Sequence, residues 1–167
     1  MPLIRSDGQR IAEAWTEVDD PDSLPDGQPT VLPLELWEQA RARLTGRNAA
    51  LGVRLRNDQP VERIADDLHR LDAVVLEFPA FKDGRAYSQA RVLRERYGFR
   101  GEIRATGDVL QDQAIFLVRC GFDAFEVDDK TAEAWAAALQ RISVVYQPAA
   151  DGSVPAPWRR HRRQAAE

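Results

Sequence analysis

Residues 78–127 read FPAFKDGRAYSQARVLRERYGFRGEIRATGDVLQDQAIFLVRCGFDAFEV, and they carry most of the strand, loop and helix signals of this 167-residue chain. The preceding run, residues 73–76, is apolar at every position, which is typical of a central parallel strand because both of its faces are buried. Within the segment, Gly98 and Gly121 stand 23 residues apart, each followed by a phenylalanine. Since a glycine can end a helix in the left-handed conformation, this spacing predicts two consecutive helix-plus-strand units.

The same alternation of strand-like and helix-like patterns extends from residue 30 onward. The predicted strands are residues 30–34, 51–55, 73–78, 102–106 and 124–127, and the predicted helices are 35–44, 61–71, 86–97, 109–120 and 131–142. Such alternation indicates an α/β protein with right-handed crossovers. A full barrel needs roughly 200 residues, whereas about 110 are available. We therefore expect a five-stranded parallel sheet of the open, flavodoxin-like (receiver-like) type, with a partial (β/α) barrel as the alternative.

The two ends of the chain differ from this middle. In residues 1–29 an Asp7-Gly8 turn between short apolar runs predicts an N-terminal hairpin, followed by a linker rich in proline and aspartate. The α/β domain is predicted over residues 30–147. Residues 148–167 contain four arginines near the end and predict a disordered basic tail.

Charge and composition exclude several classes of partner. The chain has a net charge of -4, but residues 151–167 sum to +2, so the remainder is strongly acidic. An acidic body makes nucleic acid an unlikely partner, because phosphate binding needs clustered cations. No apolar run approaches the roughly 18 residues of a membrane span, and the N-terminus shows no export pattern. We therefore expect a cytoplasmic protein with no membrane partner.

The residues that commonly hold metals or cofactors are scarce. With Cys120, His69 and His161 as the sole residues of their types, a zinc site of Cys and His ligands is excluded, while a carboxylate site for magnesium stays open. We assign no metal site. No glycine-rich phosphate loop is present, so the cofactor, if there is one, stays unknown. Cys120 ends a predicted helix, where the dipole disfavours a thiolate, which predicts a packed thiol.

Candidate functional residues follow the predicted strands, because ligands bind beyond the carboxyl ends of parallel strands. The loop at residues 79–85 combines Phe81 with cations and a glycine, which could hold an anion or simply form a turn. Asp108 is interpreted first as a helix N-cap. Arg104 lies within a strand and needs a partner, which could be Glu77, Glu102 or a ligand.

The segment also resembles a bacterial family of unknown function that is associated with sulfite reduction and sometimes called a probable oxidoreductase. The shared residues are Phe78-Pro79, Phe81, Asp83-Gly84-Arg85, Ser88-Gln89-Ala90-Arg91, Leu93-Arg94-Glu95-Arg96-Tyr97-Gly98, Gly101-Glu102, Arg104-Ala105, Gly107-Asp108-Val109-Leu110, Asp112-Gln113 and Arg119-Cys120-Gly121-Phe122-Asp123-Ala124-Phe125. The resemblance implies a protein that acts beside assimilatory sulfite reductase, on the route from sulfate to cysteine. It implies no catalytic residue and no cofactor.

A second resemblance, to response-regulator receiver domains, concerns the order of residues 73–84 and Thr106. Glu77 stands near the position of the phosphorylated aspartate, so phosphoryl acceptance is not expected. Two functional hypotheses result. The first is an accessory protein of assimilatory sulfite reduction, for which the resemblance also implies an oxidoreductase activity and sulfite reductase components as partners. The second is a non-catalytic, receiver-shaped interaction module. Under either hypothesis the predicted ligand- or partner-binding residues are Phe81, Asp83, Arg85, Arg104, Asp108 and Gln113.

Overall fold

The computed structural model describes residues 2–20, 23–141 and 145–156. In this part of the chain one sheet contains eight strands in the order β2-β1-β8-β7-β6-β5-β4-β3. Neighbouring strands from β3 to β8 are parallel, while β1 is antiparallel to both β8 and β2. The strands are β1 Leu3–Arg5, β2 Arg10–Ile11, β3 Thr16–Glu17, β4 Thr30–Pro33, β5 Leu51–Leu55, β6 Ala73–Phe78, β7 Glu102–Gly107 and β8 Ala124–Glu126.

The helices lie between and after the parallel strands. Three segments depart from α geometry: the segment between β5 and β6 is a 3₁₀ helix, the helix after β6 ends in a π-helical turn, and the helix between β7 and β8 is preceded by a 3₁₀ turn. The helical elements are α1 Leu34–Ala40, the 3₁₀ helix Val61–Arg70, α2 Arg85–Arg91 with the π turn Val92–Arg96, the 3₁₀ turn Gln111–Gln113, α3 Ala114–Cys120 and α4 Ala132–Gln140. Each predicted strand and helix is found in its place, with ends that differ by a few residues.

The expected five-stranded flavodoxin-like sheet is wrong, and the alternative of a partial barrel is the one that fits. The parallel strands lie in chain order and the sheet curls into a half-barrel. In a doubly wound sheet the order reverses at a switch point, so helices cover both faces. Here the parallel strands follow one another in a single direction, and right-handed crossovers then place the described helices between them on one face.

This arrangement gives the sheet one apolar face and one mixed face. Strand β7 shows the alternation: Ile103 and Ala105 belong to the hydrophobic core beneath the helices, whereas Arg104 points to the opposite side. We call that opposite side the inner face. The N-terminal segment crosses it, because Glu13 forms an ion pair with Arg104, and Glu17 of β3 forms one with Arg54 of β5.

The two glycine joints have the predicted role. Gly98 and Gly121 adopt φ of 64° and 104°, and Gly121 is the left-handed residue that ends α3. Phe99 and Phe122 are buried behind them. Cys120 is a buried free thiol whose pKa is raised by burial, as expected for a packing residue.

The N-terminal hairpin is present, with Leu3 paired to Ile11 across the Asp7-Gly8 turn. It extends the sheet beyond β8. At the other end, Arg119 of α3 donates to Asp151 at 3.3 Å and to Ser153 at 3.1 Å. The arginine cluster of the predicted tail lies outside the described residues. No helix in the described ranges is long and apolar enough to cross a membrane.

Candidate functional site

The predicted site residues divide into two groups. Phe81, Asp83, Arg85, Asp108 and Gln113 all lie at the carboxyl edge of the sheet, in the loops after β6 and β7 or at the helix starts that follow. Arg104 does not join them. It lies on the inner face, almost fully buried, and donates to Glu13 at 2.6 Å and to Glu102 at 2.9 Å. Of the partners considered from the sequence, Glu102 is therefore correct, and the contact with Glu13 was not foreseen.

Asp108 and Gln113 join the loop after β6 to the loop after β7. The Phe81 N–H donates to Asp108 Oδ2 at 3.0 Å, and Gln113 Nε2 donates to the Phe81 carbonyl at 3.1 Å. Gln113 Oε1 also accepts from the Leu110 N–H at 3.2 Å. The N-cap interpretation of Asp108 is wrong, because the next helical turn begins at Gln111 and the carboxylate is turned toward the neighbouring loop.

An exposed group of apolar side chains surrounds these hydrogen bonds. Phe81 is 48% exposed, Leu110 39% and Phe116 57%. Gln113 bonds to the backbone of the first two, and Phe116 lies one helical turn beyond it. The Phe116 ring also contacts Tyr87, at 4.7 Å between ring centroids. We call Phe81, Leu110 and Phe116 the apolar patch.

Asp83 and Arg85 form an ion pair within their own loop. Arg85 donates from Nε to Asp83 Oδ1 at 3.0 Å and from Nη2 to Oδ2 at 2.7 Å. These two bonds lower the pKa of Asp83 to about 2. The pair orders the start of α2 and still leaves the Arg85 side chain more than half exposed.

A cleft of about 250 Å³ lies beside this pair, between the ends of β5 and β6. Asn57 is buried there, and in the described part of the chain no acceptor meets its Nδ2 with hydrogen-bond geometry, although the amide is near enough to help lower the pKa of Asp83. Glu77 is half-buried and has no ion pair among the described residues. The lining consists of Arg56, Asn57, Asp58, Glu77, Pro79 and Arg85.

Two glutamines hold the loop that forms one wall of this cleft. Gln59 Oε1 accepts from the Arg56 N–H at 2.8 Å, and Gln89 Nε2 donates to the carbonyls of Arg56 and Gln59 at 3.0 and 2.7 Å. Both glutamines are buried. Residues 56–59 were not predicted as site residues from the sequence, although the rule that ligands bind after parallel strands applies to β5 as well as to β6.

A larger cleft of about 580 Å³ opens between the ends of β7 and β8. Its charged lining is wholly acidic: Asp108, Asp112, Glu126 and Asp128. Within the described ranges, no three potential metal ligands are grouped so that they could hold an ion. The acidic lining therefore gives no specific site, and an anion would be repelled from it.

The comparisons with known proteins identify a family for this chain. The sequence model described as "Bacterial protein of unknown function (DUF934)" matches residues 52–157, well over half of the chain. The match includes β5 from Gly52 onward, strands β6 to β8, the apolar patch and the cleft beside Arg85. No curated protein matched the chain.

Proposed function

This chain belongs to the bacterial family of unknown function DUF934, and from that premise we propose that it is an accessory protein of assimilatory sulfite reduction that docks a sulfite reductase component through its apolar patch. The pathway comes from the resemblance carried by residues 78–127. The mode of action comes from the exposure of Phe81, Leu110 and Phe116 at one edge of the sheet.

The exposed rings are the observation that carries the proposal. Large aromatic side chains at a protein surface are frequent anchors of protein interfaces, because their burial contributes about 1.5–3 kcal/mol each. The backbone beneath Phe81 is held by Asp108 and Gln113. Since the loop is already ordered, docking loses less conformational entropy than it would with a mobile loop.

The polar residues around the patch support this interpretation. Asp108 and Gln113 hold backbone groups, and Asp83 is engaged by Arg85. These side chains act as supports for the surface in this arrangement. Docking therefore accounts for Asp83, Asp108 and Gln113 as supports of the surface, but not for Arg104, which lies on the inner face.

The test is growth of a deletion strain on sulfate as sole sulfur source, with complementation by variants. We expect the wild-type gene to restore growth and Phe81→Ser/Phe116→Ser to fail. The same variant should no longer retain sulfite reductase components in a pull-down. Tyr146→Ser is the matched control, because Tyr146 is 75% exposed and lies outside the patch.

Two results would count against the proposal. Normal growth of the deletion strain on sulfate would contradict the assignment to sulfite reduction. Normal partner binding by the double patch variant would contradict the assignment of the patch as the docking surface. If growth is normal while the patch variant loses a different protein partner, the alternative of a non-catalytic interaction module is favoured. This alternative no longer includes a receiver-like shape, because the prediction of a flavodoxin-like sheet is wrong.

An oxidoreductase activity stays a prediction of the resemblance. It would show as flavin or haem absorbance of the purified protein, or as binding of a nicotinamide cofactor.

A further inference from the structure

We propose that the cleft between β5 and β6 binds a small zwitterion such as a free α-amino acid. The carboxylate of the ligand is received by Arg56, Asn57 and Arg85, and its ammonium group by Glu77. No residue of the apolar patch lines this cleft, although both use the loop at residues 79–85, and the site does not depend on the docking proposal.

The two arginines that line the cleft have N–H groups that make no hydrogen bond to a described residue. Arg56 donates from Nη1 to Glu35 and from Nε to Asp58, while Arg85 uses Nε and Nη2 on Asp83. In the described structure this leaves Nη2 of Arg56 and Nη1 of Arg85 without a hydrogen bond. Among the described residues the buried Nδ2 of Asn57 meets no acceptor with hydrogen-bond geometry, although Asp83 lies near it. A buried donor without an acceptor costs free energy, so a ligand oxygen that meets it is stabilised.

Glu77 is the carboxylate in the lining that has no ion pair among the described residues. It ends the inner-face side of β6, with its backbone in register with Thr106 of β7. No described cation pairs with its carboxylate, although the residue is half-buried. A charge-assisted hydrogen bond from an ammonium group would satisfy it.

The balance of charge selects the class of ligand. Two guanidinium groups at the cleft are accompanied by four carboxylates, those of Glu35, Asp58, Asp83 and Glu77. The local net charge is thus -2, which disfavours a simple anion despite the free N–H groups. A simple cation would pair with the Glu77 carboxylate but would give the arginine and asparagine N–H groups no acceptor. A zwitterion satisfies both sides without adding net charge.

The size of the cleft limits the ligand. A volume of about 250 Å³ corresponds to roughly eight water molecules at 30 Å³ each. The buried glutamines hold the Arg56 loop in place, so the wall is formed before a ligand arrives. A free amino acid with a short side chain matches this volume better than a peptide or a nucleotide.

The experiment is a titration of ¹⁵N-labelled full-length protein with L-alanine, followed by NMR. Saturable shifts of the Asn57 side-chain amide and of the backbone amides of residues 56–58 are expected. Acetate lacks the ammonium group and ethylamine lacks the carboxylate. Each should bind at least about tenfold more weakly than L-alanine, a difference of ~1.4 kcal/mol.

Variants separate the two halves of the site. Glu77→Gln and Arg85→Gln should each weaken L-alanine binding at least about tenfold, while Glu77→Gln should not weaken acetate binding. Arg10→Gln is the matched control, because the Arg10 side chain is similarly exposed and also paired with an aspartate. The NMR spectrum of each variant reports whether its fold is retained.

Several outcomes would overturn the proposal. They are no saturable shift with L-alanine in the millimolar range, equal affinity for acetate and L-alanine, and unchanged affinity in Glu77→Gln. The patch variant Phe81→Ser/Phe116→Ser should bind L-alanine normally, and Glu77→Gln should still retain the protein partner. Failure of this site and failure of the docking proposal are therefore distinguishable.

Discussion

Arg104 donates a hydrogen bond at 2.6 Å to Glu13, a residue 91 positions earlier in the chain. The guanidinium also donates to Glu102 on its own strand at 2.9 Å. These contacts hold the N-terminal segment across the inner face of the half-barrel, where none of the described helices packs. The N-terminal segment, held by the buried Arg104, thus covers part of the inner face, while the helices cover the opposite face.

We predict that Arg104→Ala lowers the free energy of unfolding by about 2–3 kcal/mol. Removing one member of a buried ion pair leaves charges without compensation, and the cost falls below the usual 3–5 kcal/mol because Glu13 and Glu102 are partly exposed. Urea denaturation measures the difference. Arg91→Ala, which removes an exposed pair with Glu95, should change stability by less than about 0.5 kcal/mol. Equal effects of the two substitutions would contradict the prediction.

The second prediction concerns the pKa of Asp83. Hydrogen bonds from Arg85 lower it from 3.8 to about 2, so the ion pair stabilises the fold above the unfolded-state pKa and this contribution is lost as the pH falls toward 2. Titration of the carboxyl ¹³C signal by NMR measures the pKa. Arg85→Gln should raise it toward its ordinary value, whereas Arg10→Gln should leave it unchanged. A low pKa in Arg85→Gln would show that another group is responsible.

The third prediction compares two glycines with positive φ. At Gly107 (φ 91°) an added Cβ would lie 2.3 Å from the Phe78 carbonyl oxygen, whereas at Gly98 (φ 64°) nothing lies within 4 Å. Gly98→Ala should therefore cost about 1–2 kcal/mol, the strain of the left-handed backbone alone. Gly107→Ala should cost more than about 3 kcal/mol, because β6 and β7 must separate. Thermal and urea unfolding measure the loss of stability in each variant. Similar losses would contradict the role assigned to the close approach of Gly107 to the Phe78 carbonyl.

The fourth prediction concerns the Tyr87 hydroxyl, which is buried with no partner in the described part of the chain. Burial raises the pKa of Tyr87 to about 12, so wild-type stability should decline as the pH rises from about 10 toward 12. Tyr87→Phe keeps the ring between Phe78 and Phe116. At neutral pH it should leave stability unchanged or raise it by up to about 1 kcal/mol. A clear loss of stability would indicate a hydrogen bond that the structure does not contain.

Local patterns predicted the elements well because hydrophobic period and turn chemistry act over a few residues. The run at residues 73–78 and the joints at Gly98 and Gly121 were correct for that reason. Strand β3 was missed, because two residues, Thr16 and Glu17, show no period. Asp108 was assigned to the wrong partner, since its acceptor role depends on a loop 27 residues away.

The sequence by itself determined the order of strands and helices, the N-terminal hairpin, the burial of Cys120 and the family of the chain. Tertiary structure decided the order of strands within the sheet, the pairing of Arg104 with Glu13, and the meeting of Asn57, Glu77 and Arg85 in one cleft. The physical reason is the distance along the chain over which each interaction acts. Periodicity records which side of an element is buried, but the direction of each crossover and the contacts across the sheet come from packing between distant segments.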